Sequence, residues 1–341
     1  MSRSICITAA DGQTGHLITE LLLSNQFRPK FKELFCVTLH PEKCEDLETM
    51  GAKIIAHKHS DPAGLVQSLK ESGADTIFMI PPAHAHKLRL ARDVLKAVAA
   101  ADIKNTVLLS AAGTDLAEEK AQPHIRQFTK IETEMMHLRY TGGTEAGTSQ
   151  CIIRAGYYAE NLLLYEKDMK TNGRLRLPIG DVNSFAPVAL GDVVKVAANI
   201  LVSEGPKGLS DRFRGQLITL TGPTYAYLKF LIHTDRLNHP LTQRRMCNGV
   251  ELAAAASQAG VNIEFTDTSN TEAKQLVLEL DTDVDDSEKQ YLLEYYSLVR
   301  EGKTNYVSTL DFAPITGEEP TNPPDFFKTY ESTKQRHIVC Q

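Results

Sequence analysis

Five short apolar, β-branched runs, at residues 5–10, 34–39, 53–56, 76–80 and 106–110, alternate with amphipathic stretches at 15–24, 41–50, 62–72 and 88–101. No feature of the chain constrains its fold more. Successive strands separated by helices of that length cannot be joined by tight turns, so they must lie parallel and be linked by right-handed crossovers. The alternation predicts a doubly wound parallel α/β sheet. A further helix over 123–139 carries Ile125, Phe128, Ile131, Met135 and Leu138 at spacings of three and four, a stripe suited to docking on a sheet. A loop at Gly142 and Gly143 and a strand at 151–154 follow.

Beyond residue 155 the alternation loosens. A helix is expected over 192–202, and a strand over 216–220 that returns to the main sheet. The first 155 residues, completed by elements near 186–222, form the expected sheet domain. Residues 156–341 supply a smaller, interleaved α+β region. No clean linker or internal repeat separates the two.

Composition removes several function classes. The 341 residues carry 37 Lys and Arg against 43 Asp and Glu, a formal charge of -6, which offers no general attraction for nucleic acid or anionic membranes. Apolar runs are far shorter than a membrane span, and the first ends at Asp11. Cys6, Cys36, Cys44, Cys151, Cys247 and Cys340 stand singly, with no CxxC, which suits a reducing cytoplasm and argues against a zinc site. The pairs His57/His59 and His84/His86 have strand-like metal-ligand spacing but no third ligand nearby in sequence. No metal is expected, and His84 and His86 are read as residues lining a cleft. Arg244 with Arg245 is too small a patch for nucleic acid, and the acidic run 281–288 reads as a solvated loop or helix start.

The chemistry-bearing segment stands directly after the first strand: Ala9-Ala10-Asp11-Gly12-Gln13-Thr14-Gly15, opening a helix. Small residues there let the backbone turn tightly and approach a pyrophosphate, and the helix N-terminus offers free N–H groups to its oxygens. This placement makes the sheet Rossmann-type and assigns Thr8, Ala9, Asp11, Gly12, Gln13, Thr14 and Gly15 to cofactor binding.

Residues 8–17 resemble the GxxGxxG loop of the NmrA-like atypical short-chain dehydrogenase/reductases, with Ala9 in place of the first glycine. Similar segments of that family match His40-Pro41-Glu42-Lys43, Asp61-Pro62, Pro81-Pro82 and Leu109-Ser110-Ala111-Ala112-Gly113. The run from Ile153-Arg154-Ala155-Gly156-Tyr157-Tyr158 to Ala159-Glu160-Asn161-Leu162 resembles its R-P-G-F-F-x-E-N-L signature, and Leu220-Thr221-Gly222-Pro223 its returning strand. The closing pattern from Ile315-Thr316-Gly317 through Pro320 to Phe326-Phe327 resembles a fungal branch with festuclavine-type dehydrogenases and quinone reductases. The resemblance implies an NAD(P)H-dependent reductase of specialised metabolism, with Pro81 and Ser110 also at the cofactor.

Two departures bear on the cofactor. Leu39 stands where NADP-binding relatives usually carry an arginine, and Lys58 where they often carry an acid. If His40, Lys43 and Lys58 converge on the adenosine end, their charge favours NADPH over NADH; otherwise they are solvated loop residues.

Short-chain dehydrogenases ordinarily place Tyr-x-x-x-Lys on the helix after strand five, and NmrA-like proteins usually lack the tyrosine. Lys130 matches the lysine, but the position four before it is Arg126. Lys130 is therefore the expected catalytic or ribose-orienting group, with Ser110 nearby. Tyr157 and Tyr158 fall just past a strand end, where ligands bind; Tyr157 is a second catalytic candidate, and both are read as contacting substrate or simply packing. Asn161 caps the next helix or lines the pocket. The expected reaction is hydride transfer to an electrophilic C=C, C=N, C=O or quinone of a small molecule. The competing readings are a redox-neutral isomerase or cyclase and a non-catalytic dinucleotide sensor. The oligomeric state stays open.

Overall fold

The computed structural model describes residues 3–138, 149–206, 208–223, 246–278, 285–304 and 312–332. The expected loop at Gly142 and Gly143, the pair Arg244 and Arg245, Cys340 and the first part of the acidic run lie outside them.

Nine strands are described: β1 (Arg3–Thr8), β2 (Phe31–Thr38), β3 (Lys53–Ala56), β4 (Thr76–Met79), β5 (Asn105–Ala111), β6 (Ser149–Ala155), β7 (Arg174–Leu177), β8 (Gln216–Leu220) and β9 (Glu264–Asp267). Seven form one sheet in the order β3-β2-β1-β4-β5-β6-β8, every neighbouring pair parallel. This is the Rossmann-type α/β sheet that the alternation predicts, and β8 returns to its edge beside β6.

The helices are α1 (Gln13–Leu23), α2 (Glu45–Thr49), α3 (Pro62–Ser72), α4 (Lys87–Ala100), α5 (Pro123–Met136) and α6 (Glu166–Asn172), then α7 (Leu190–Leu201), α8 (Gly249–Gln258), α9 (Asn270–Leu278), α10 (Asp286–Arg300), α11 (Phe312–Thr316) and α12 (Pro323–Ser332). Their limits follow local chemistry. Asp61 accepts the Gly64 amide at 2.8 Å and Pro62 supplies a preset first residue, while Gly73 ends α3 in the left-handed conformation. The helix expected over 41–50 is instead a 3-10 turn (Pro41–Cys44) running into the short α2.

Burial on both faces explains why the inner strands read as nearly unbroken apolar runs. On β1, Ile5 and Ile7 enter a core with Ile18 and Leu22 of α1 and with Val193 and Val196 of α7. Cys6 points the other way, against Phe35, Ile77 and Val98. Each such side chain contributes about 1.5–3 kcal/mol by leaving water. The second half has its own core, in which Tyr157, Leu162, Phe185, Tyr296 and Phe327 are buried. It also holds a two-stranded parallel sheet of β7 and β9, strands for which the sequence pattern gives no expectation. Among the described residues, no helix is long and apolar enough to cross a membrane.

The order of the main sheet fixes where a ligand fits. The chain winds outward from β1 to β3, then crosses back to β4 on the other side of β1, so the crossovers diverge between β1 and β4. In open parallel sheets that divergence leaves a crevice outside the strands' carboxyl ends.

Candidate functional site

Ala9 leaves β1 with φ +51°, a left-handed conformation that an L side chain enters at a cost, and its carbonyl accepts the Gly12 amide at 3.1 Å. The alanine thus occupies the position at which the resembled family has glycine, and keeps the turn. A Cβ at Gly15 would stand 2.1 Å from the Ala9 carbonyl oxygen, so this glycine is required by the close approach of α1 to the turn. At Gly12 the same test meets only Ala9 oxygen, at 3.4 Å, which is ordinary contact. The fold itself does not demand glycine there.

Gly12 and Gln13 are exposed, and α1 starts with no side-chain cap and no acidic residue in its first turn. An uncapped helix start beside a small, exposed backbone fits the diphosphate of a dinucleotide. Asp11 and Thr14 flank it, half-buried. The Thr14 side chain is hydrogen-bonded to the Tyr158 hydroxyl, whose acidity burial suppresses, so Tyr158 ties the loop to the chain after β6.

The loops after β2 and β3 meet at Thr38: His40 donates its amide to Thr38 Oγ1 at 3.0 Å and His57 donates to the Thr38 carbonyl at 2.9 Å. Lys43 and Lys58 are exposed on these loops, while the His40 ring sits 3.1 Å from a Glu42 carboxylate oxygen. The two histidine pairs form one row, with ring centroids 6.0 Å apart for His57 and His59, 5.4 Å for His59 and His84, and 5.4 Å for His84 and His86. Burial lowers the basicity of His57 and His59; the neighbouring rings reinforce this at His59, whose Nδ1 is buried with no hydrogen-bond partner. His84 Nδ1 accepts the His86 amide at 2.9 Å, a bond that requires this nitrogen to be unprotonated. Pro81 is buried at the head of the same loop.

Several expected site residues stand elsewhere. Tyr157 is 1% exposed, its hydroxyl 2.8 Å from that of Tyr296, which is 3.0 Å from that of Tyr165. Its ring packs on Phe185 and Tyr295, so Tyr157 is a core residue and not a group that meets substrate. Lys130, on α5, is half-exposed and paired with Glu119 at 2.5 Å. Ser110 gives its hydroxyl to Glu132 at 2.5 Å, and Glu132 grips Arg154 through both carboxylate oxygens, at 2.8 and 2.7 Å. The partner at the end of β5 is therefore a buried carboxylate, not Lys130. The Thr8 hydroxyl accepts the Ile80 amide at 2.8 Å and donates to its carbonyl at 3.1 Å, so it crosslinks β1 to the end of β4. Asn161 lies inside a 3-10 turn (Ala159–Tyr165) and caps nothing. Its neighbour Glu160 takes the capping role, accepting the Leu190 amide at the start of α7 at 3.0 and 3.1 Å.

One residue the sequence reading missed is Lys87, the first residue of α4, 4% exposed. Its ammonium is 2.6 Å from Glu288 Oε1 on α10 and lies over the rings of Phe128 and Tyr291, 4.7 and 5.6 Å from their centroids. Those two rings meet edge to face at 6.0 Å. A cation at a helix N-terminus opposes the helix dipole, and that misfit was the available sequence signal. Burial pushes the carboxyl of Asp285, the N-cap of α10, upward, but its hydrogen bonds from Ser287 hold it below its ordinary value, with smaller contributions from His84 and Lys87. Glu288 in turn acts on Tyr158. The start of α10 thus faces both the loop after β4 and the residue that holds Thr14. Elsewhere, an apolar hollow of about 10 Å³ beside Leu252 and Phe326 has room for about one water and no substrate.

Residues 9–146 match the family model for NAD(P)H-binding domains. The chain is 25% identical over 205 residues to quinone oxidoreductase 2 of Escherichia coli strain K12, an alignment spanning 60% of this chain and 66% of that relative. It is 21% identical over 272 residues to an NAD(P)H azoreductase of Xenophilus azovorans, spanning 80% of this chain and 79% of the relative. In fold, it superposes on the E. coli quinone oxidoreductase complexed with NADPH with a TM-score of 0.74 at 18% identity, covering 96% of this chain and 99% of the other. The transcriptional regulator NmrA in complex with NADP follows it with a TM-score of 0.70 at 13% identity, over 99% and 98% of the two chains.

Proposed function

From a chain whose residues 9–146 match the NAD(P)H-binding family, we propose an NAD(P)H-dependent oxidoreductase that reduces a small electron-accepting molecule, with NADPH preferred. The observation that carries the reading is Gly12. It is exposed at an uncapped helix start, and nothing within the protein forbids it a side chain. Ala9, Asp11, Gln13, Thr14 and Gly15 complete the diphosphate cradle, and His40, Lys43 and Lys58 surround the adenosine end. A bound reduced nicotinamide supplies the hydride. The protein's part is to orient it at the β1–β4 crevice, exclude water and provide a proton. Relatives named for quinone and azo reduction support a planar, conjugated acceptor.

Calorimetric titration with NADPH and NADH, followed by nicotinamide oxidation with a quinone and with an azo dye, tests this. Tighter binding of NADPH and acceptor-dependent oxidation are expected. Failure to bind either dinucleotide overturns the reading. A second reading, a dinucleotide sensor, is favoured by Arg126 at the position of the missing tyrosine, its guanidinium donating to the carbonyls of Thr114 and Asp115 at 3.3 Å. Tight binding with no turnover would select it.

A further inference from the structure

We propose that Lys87 is the proton donor of the reduction, acting on the oxygen or nitrogen of the acceptor, with Glu288 as the group that reloads it. The inference rests on the oxidoreductase reading above and names a residue that reading lacks.

Reducing a quinone to its hydroquinone takes a hydride and one proton. The hydride brings both electrons, leaving the nicotinamide oxidised, and the proton must come from an acid at the acceptor's oxygen. Arg126 stands four residues before Lys130, where the tyrosine would be, Lys130 is paired with Glu119, and Tyr157 is enclosed in the core. Lys87 stands at the head of α4, directly after the loop that ends β4, and so borders the β1–β4 crevice.

The amine has the required chemistry. An ammonium carries three donors, and one is given to Glu288 at 2.6 Å. The others face the rings of Phe128 and Tyr291, at 4.7 and 5.6 Å, which attract the charge without accepting a conventional hydrogen bond. Donors kept in that condition are available to an acceptor oxygen. The same two rings offer an aromatic wall to a conjugated ligand. In the step, an N–H bond of Lys87 breaks and an O–H bond of the product forms. The neutral amine then recovers a proton from solvent through Glu288, whose side chain is 26% exposed against 5% for Lys87. The ionisable groups around Lys87 are Glu288, Tyr291 and Asp285 from α10 and His84 from its own loop, with Tyr158 beyond Glu288.

Lys87→Arg separates chemistry from architecture. Arginine keeps the ion pair and the cation–ring contacts but does not release its proton in the working pH range. Melting temperature, NADPH affinity by calorimetry, and the pH profile of kcat with a quinone would be measured on the wild type, Lys87→Arg, Lys87→Met and Glu288→Gln. The expected result is wild-type NADPH affinity and stability for Lys87→Arg with kcat lowered at least about tenfold. Glu288→Gln should lower kcat with less effect. Wild-type kcat in Lys87→Arg overturns the proposal and leaves a structural clamp between α4 and α10, whether or not Lys87→Met folds. A wild type that binds NADPH but reduces neither quinone nor azo dye overturns the oxidoreductase reading, and this inference with it.

Discussion

A Cβ placed on Gly15 would lie 2.1 Å from the Ala9 carbonyl oxygen, whereas one placed on Gly12 would lie 3.4 Å from the same atom. The two glycines of one loop therefore answer to different demands. Gly15→Ala forces backbone apart and should destabilise the fold by about 1–3 kcal/mol or more, read in a denaturant melt. Gly12→Val should melt like the wild type and lose dinucleotide binding in a calorimetric titration. Equal stability losses in the two variants would show that the loop is built for packing alone.

Lys43 is exposed in the 3-10 turn after β2 (Pro41–Cys44) and forms, among the described residues, no side-chain ion pair. If it meets a 2′-phosphate, Lys43→Ala should weaken NADPH by about 1.5–3 kcal/mol and leave NADH nearly unchanged. Parallel titrations with the two dinucleotides decide this, and equal losses assign Lys43 to the surface.

Lys130 is paired with Glu119 at the surface, which favours a structural role for it. Its partner Glu119 is the more exposed of the pair, and surface pairs of this kind contribute about 0–1 kcal/mol. Lys130→Met should keep its melting temperature within a few degrees and retain wild-type turnover of quinone. A tenfold loss of kcat would return Lys130 to the site.

Acid should act through the histidine row. His57 and His59 are held below the usual histidine range, mainly by burial, so the native state favours their neutral forms. A lowered folded-state pKa means that the stabilisation is complete above the unfolded value, about 6.5, and is lost as pH falls toward the folded value. Between pH 7 and 5 the wild type should lose stability in melts, and His59→Gln should lose less. Identical pH dependence in the two proteins would remove His59 as a contributor.

Periodicity and the loop after the first strand disclosed most of the main sheet, because crossover spacing and glycine placement are local properties. The β7–β9 pair escaped notice because its strands are four residues each and lie about ninety residues apart, with no helix between them at the spacing of a simple crossover. The site was legible where it depends on backbone, at Gly12 and Gly15, and illegible where it depends on long-range pairing. Lys87 meets Glu288 across 201 residues, and Ser110 finds Glu132 where the family pattern points to Lys130. For Tyr157, where the sequence left ligand contact and packing open, the ring turns inward against Tyr296.

Because β8 pairs with β6 along Cys151 to Ala155, the sheet has its last neighbour only once residue 220 is in place. On the ribosome, the nascent chain must carry β6 as an unprotected edge, its row of amides and carbonyls open to pairing with another molecule, while some sixty further residues are made. A fragment ending at residue 155 would keep that edge permanently and would also lack α7, which covers β1 from below. Such a piece is poorly suited to expression as a separate dinucleotide-binding module. The shorter route to a minimal protein is to remove loops from the second half while keeping the segment that delivers α7 and β8.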